Sequence, residues 1–127
     1  MELTSVKTAI KERIEEIDNF ISNLPELKIS LDYNQRLNSR YIDEEWIKWE
    51  NLQGELSRIL LASKWLQSKI KEAISVLGNN LEIEINQKNM LRKSLEILEN
   101  RTKPLEELKL PIQNFVYYCQ SKSKEIR

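Results

Sequence analysis

Histidine does not occur anywhere in this chain. That absence excludes Ser-His-Asp and Cys-His nucleophile pairs, zinc sites built on imidazole, and the Glu-x-x-His pattern of di-iron bundles. It also removes the usual side chain for a switch near neutral pH. The single cysteine, Cys119, has no intrachain partner, so no disulfide framework exists. Two glycines cannot build a phosphate-cradling loop. With only three prolines beside them, they also leave little material for a turn-rich β fold. No apolar run approaches the ~18 residues of a membrane helix. Met1 is followed by a polar, charged segment without the apolar centre of a signal peptide. A net charge of zero rules out a global field toward nucleic acid or membrane. These absences read as an intracellular, cytoplasmic, soluble protein without a cofactor.

What is present is helix-forming. Charged residues make up 31% and hydrophobic residues 40%, and the Ile and Leu residues recur at helical intervals. The longest such stretch is Ile42 to Leu77. Its apolar stripe is Ile42, Trp46, Trp49, Leu52, Leu56, Ile59, Leu66, Ile70, Ala73 and Leu77, in steps of three and four or their sum. Small residues Ala62 and Ser63 fill the gap between Ile59 and Leu66. Ile47, Leu60, Leu61 and Trp65 lie off the stripe, and a helix apolar over so wide an arc meets more than one neighbour.

Ahead of this spine, Leu3, Val6, Ile10, Ile14, Ile17, Ile21 and Leu24 form a near-heptad seam, widened by Phe20. The seam predicts a helix from about Thr4 to Leu24, ended by Pro25. Residues 26–41 are expected to form a short helix plus a loop. After the spine, Gly78-Asn79-Asn80 signals a stop, with glycine suited to a left-handed position. Asn79 and Glu82 have capping-box spacing. A third helix is expected from about Leu81 to Arg101. Pro104 then opens a short turn, and Pro111 starts a last helix carrying Ile112, Phe115, Val116 and Cys119. Residues 120–127 are expected to fray as a basic tail.

The predicted fold is all-α. It is a single domain over residues 1–127, an antiparallel bundle of three long helices and one shorter one with coiled-coil-like packing. The spine is expected to overhang its shorter neighbours unless it kinks at Gly54.

Several constellations bear on chemistry. Glu12 with Glu15, and Glu96 with Glu99, have the spacing of paired carboxylates for Mg²⁺ or Mn²⁺, but basic neighbours make them read as solvated surface charge. No metal site is assigned. Cys119 reads as a small residue on an apolar face. Charge is split along the chain: residues 1–63 carry eight basic and twelve acidic side chains, and residues 64–127 the reverse. That split suits complementary helices, or a basic face near the C-terminus. Lys122, Lys124 and Arg127, following Tyr117 and Tyr118, are the candidate nucleic-acid contacts. Three tryptophans on more than one face of one helix point elsewhere, because Trp is enriched at interface hot spots. Trp46, Trp49 and Trp65, with Gly54 as a site of close approach, are the candidate partner-binding residues. The expected function is therefore a non-enzymatic helical interaction or assembly module, self-associating or docking a helical partner. A nucleic-acid-associated accessory subunit is the alternative.

Overall fold

A computed structural model describes residues 3–25 and 39–126. It contains three helices, α1 (Leu3–Ser22), α2 (Ser39–Val76) and α3 (Glu82–Ile126), and no strand among the described residues. At the helical rise these are ~30, ~57 and ~68 Å long. Most of the expected short helix and loop at 26–41 lies outside the described residues, and its last three positions belong to α2.

The expectation of four helices is corrected by α3. It runs unbroken through Pro104 and Pro111. The reason lies in which side each residue faces. Leu91, Leu98, Leu105, Ile112 and Cys119 are all buried, and each is seven residues from the next. This spacing keeps one face of the helix on its neighbours across four heptads. Both prolines are exposed, so their missing N–H groups fall on the side away from that seam. The same helix continues past residue 120 to Ile126, and the buried Ser123 donates a 2.5 Å hydrogen bond to Asp43 Oδ1.

Cross-helix pairs fix the directions. Asp43 meets Ser123, Ser63 meets Thr102, and Lys71 meets Glu99, so α2 and α3 run oppositely along most of their lengths. The expected overhang of α2 beyond α3 does not occur, because α3 is the longer helix and meets α2 near both ends. One apolar cluster joins Ile17 and Phe20 of α1 to Trp49, Leu56 and Ile59 of α2 and Leu105, Ile112 and Val116 of α3. A second joins Val6 and Ile10 to Leu66, Ile70, Leu91 and Leu98. Each fully buried Leu or Ile contributes roughly 1.5–3 kcal/mol against the cost of ordering the chain. At the end of α1 the seam moves by one residue. Phe20 is buried, whereas Ile21, expected inside, is 39% exposed.

Ser63 is more than a small filler between the two clusters. Its hydroxyl lies 2.6 Å from Thr102 Oγ1, and both oxygens are buried. Thr102 donates onward to the Leu98 carbonyl at 2.6 Å, which leaves Ser63 as donor to Thr102. Gln67 Nε2 donates to both hydroxyls from the partly buried margin. The polar layer is satisfied within itself, and a slip of α2 along α3 would strand it among apolar side chains.

The turn between α2 and α3 also differs from expectation. Gly78 does not have a positive φ. A side chain there would instead collide with the Glu84 carboxylate. Asn79 Oδ1 accepts a 2.7 Å hydrogen bond from Lys88, and the first carbonyl of the new helix to be used is that of Leu81, which accepts from Ile85 N–H.

Candidate functional site

The three tryptophans have three different environments. Trp49 is fully buried. Its ring meets Phe115 edge-on at 5.2 Å, and its Nε1 donates to Glu45 Oε2 at 3.2 Å. It is a core residue and offers no surface. Trp46 is partly buried against the same cluster. Trp65 is 59% exposed, and Lys69 Nζ sits 5.6 Å from its ring centroid. Periodicity separates Trp65 from the stripe, but only the packing of α3 separates Trp49 from Trp46.

Trp65 belongs to an outward face of α2. Ile47, Gly54, Arg58, Leu61, Trp65, Lys69, Glu72 and Val76 are spaced so that they point to one side of the helix. Of these, Leu61 is 73% and Val76 82% exposed, and Ile47 is also exposed. Large apolar side chains gathered on one solvent-facing helix side are unlike scattered exposed leucines, which need no explanation. Gly54 is exposed, and nothing lies within 4 Å of the position its Cβ would take. No neighbour inside this chain therefore requires the glycine, and α2 continues through it as a helix.

Beside this face, α1 and α2 leave an open groove of about 570 Å³ lined by Ala9 and Arg13 on one side and Arg58, Leu61, Trp65 and Leu66 on the other. Glu12 also lines it, and the groove's two arginines are paired behind it with Glu16, whose carboxylate lies 3.5 Å from Arg58 and 3.7 Å from Arg13. The floor is apolar and the rim carries both signs of charge, a layout that suits an apolar anchor with polar edges. A second cleft, of about 490 Å³, is lined by Glu12, Glu15, Glu16 and Glu55 with Arg13 and Phe20. Among the described residues no group of three or more Asp, Glu or Cys side chains gathers in a way that would hold a metal ion.

No protein family, curated protein or solved structure matches this chain. The reading of the site therefore rests on its own geometry.

The basic half is interleaved with acid. Lys64 pairs with Glu106 at 3.3 Å, Lys71 with Glu99 at 3.9 Å, and Arg101 with Asp18 at 3.4 Å. Lys122 pairs with Glu125 at 3.1 Å and lies over the Tyr118 ring. That hydrogen bond, and then the charge of Glu125, raise its pKa. Lys124 is exposed, and Arg127 lies outside the described residues. No helix among the described residues is long and apolar enough to cross a membrane.

Cys119 is buried where α3 lies over the start of α2. Burial pushes its thiol from 9.0 up to about 11, and the nearby Glu45 carboxylate adds to the shift. The raised value means that the folded chain disfavours the thiolate. The stability tied to the neutral thiol is fully present below pH 9.0 and is lost as pH rises toward 11. At about pH 8, a disulfide-exchange reagent should label the native protein far more slowly than the unfolded one. Equal labelling rates would contradict the buried placement.

Proposed function

We propose that this chain is a non-enzymatic helical interaction or assembly module that docks a helix against the outer face of α2. The observation carrying this reading is the exposed Trp65–Leu61 pair beside the groove next to α1. More than half of the Trp65 ring is in water, and covering that part recovers on the order of 3 kcal/mol. A helix seated here would place its apolar residues on Leu61 and Trp65 and its polar edge along Glu12, Arg13 and Arg58. Gly54, which this chain does not need, gives room for close approach, and Trp46 supports the same helix from within. The seven-residue spacing of the buried positions in α3 supports coiled-coil-like packing of the antiparallel helices, a rigid frame for such a face. A cytoplasmic setting fits the lone buried cysteine.

The test is site-specific photocrosslinking in cells. A photoreactive benzoylphenylalanine in place of Trp65 should give discrete adducts. The same group in place of the exposed Asn100, on α3, should not. An absence of adducts from position 65, or equal adducts from both positions, would sink the reading.

A further inference from the structure

We infer that the outer face of α2 pairs with the same face of a second copy, the two helices running oppositely about a two-fold axis at Trp65. This rests on the docking reading above and commits it to one occupant. An isologous contact requires a face that complements itself when reversed, and the residues flanking Trp65 do so. Reversal places Trp65 on Trp65 of the second copy. Four residues out, Leu61 meets the aliphatic stem of Lys69. Seven residues out, Arg58 meets Glu72. Eleven residues out, Gly54 meets Val76.

Each of these pairings uses something left open within one chain. Among the described residues, the Arg58 side chain pairs with Glu16 alone, at 3.5 Å, and is 60% exposed; the Glu72 carboxylate pairs with Lys69 alone, at 3.4 Å, and is 67% exposed. The two-fold operation sets two Arg58–Glu72 pairs on either side of the tryptophans, with opposite signs facing. Val76, 82% exposed, gains a seat on the open backbone at Gly54. A glycine inside an exposed helix is destabilising relative to alanine, and this contact gives it a reason. Sliding one helix by a turn loses the match. In one direction Glu72 lands on Gly54; in the other Arg58 lands on Val76. Charge complementarity thus selects the register as well as the partner.

In this register the paired stretch from Gly54 to Val76 is ~33 Å long and ~10 Å wide. Its footprint, on the order of 330 Å² per copy, is that of a weak interface. Pairing is therefore concentration-dependent.

The experiment is sedimentation equilibrium on the full chain at concentrations up to about 1 mM. The wild-type chain should show a monomer–dimer equilibrium that weakens with salt. Arg58→Glu and Glu72→Arg should each weaken dimerisation by about tenfold or more, because each sets two like-charge pairs face to face. Mixing the two variants should restore pairing as a heterodimer, since both facing pairs are then of opposite sign. Restoration on mixing also shows that both variants are folded. A wild-type chain that stays monomeric throughout would overturn the inference, as would a dimer indifferent to either variant or a mixture that fails to pair. Crosslinks from position 65 to another protein, with none to this chain, would leave the docking reading standing and remove self-pairing alone.

Discussion

Trp49→Ala is expected to cost about 3–5 kcal/mol of folding stability, the range for deleting a large buried aromatic. Three losses combine. The ring is fully buried, so its removal leaves a cavity where α2 meets α3. The edge-on contact with Phe115 disappears, and such pairs contribute about 0.5–1.5 kcal/mol beyond area alone. Glu45 also loses the indole N–H that it accepts from at 3.2 Å. A stability of ~5–15 kcal/mol is usual for a domain, so this one change removes a large share of it. Urea denaturation followed by circular dichroism measures the loss.

The informative comparison is Trp65→Ala, expected to stay within about 0.5 kcal/mol at concentrations where the chain is monomeric. Trp65 is 59% exposed and touches mainly Lys69 and the groove wall. The same residue type on the same helix thus separates into one position that holds the fold and one available for contact. If both substitutions cost the same, that separation fails, and with it the case for Trp65 as a docking residue.

How much of this was legible in the sequence differs from helix to helix. The stripe of α2 could be read directly, because Ile42, Trp49, Leu56, Ile59, Leu66 and Ile70 all prove buried. Periodicity assigns a side of the helix and does not assign depth. It put Trp46 and Trp49 on one stripe, and only the continuation of α3 to Phe115 buries the second of them more deeply. The same limit explains Phe20 and Ile21, adjacent residues between which two neighbouring helices choose. The Ser63–Thr102 layer was not legible, since its partners are 39 residues apart and each hydroxyl alone resembles a tolerated small residue. For the candidate site, Leu60, Leu61 and Trp65 all lie off the stripe, yet Leu60 is buried while Leu61 and Trp65 are exposed, so an off-stripe position alone does not separate a second neighbour from solvent. Glu72 and Val76 were missed. Their significance depends on a symmetry that appears only once the outward side of α2 is known. In α3 the signal was present and was outweighed. Leu91, Leu98, Leu105, Ile112 and Cys119 keep a strict interval of seven across both prolines, yet proline is so strong a helix breaker locally that it predicts two boundaries there.

That conflict yields the second large effect. Pro104→Ala and Pro111→Ala should each stabilise the fold, by about 1–3 kcal/mol, the upper figure being the proline penalty in a helix interior. Both lie inside the continuous helix Glu82–Ile126. An alanine restores an N–H to reach the carbonyl four residues earlier, that of Asn100 or Glu107, and relieves the clash of the ring with it. Proline's restriction of the unfolded chain opposes the gain by about 0.4–1 kcal/mol where its geometry fits. The prolines are seven residues apart, ~10 Å along the axis, and share no partner, so the double variant should gain nearly the sum. Neither faces the seam, so neither substitution disturbs Leu105 or Ile112 beside it. Thermal and urea unfolding of the two single variants and the double variant measure this. A loss of stability instead would mean that the prolines themselves help keep α3 against α2 as far as Cys119 and Ser123. The seven-residue seam would then be insufficient to hold the helix on its own, and the burial of Trp49 would depend on prolines that the local rules treat only as breaks.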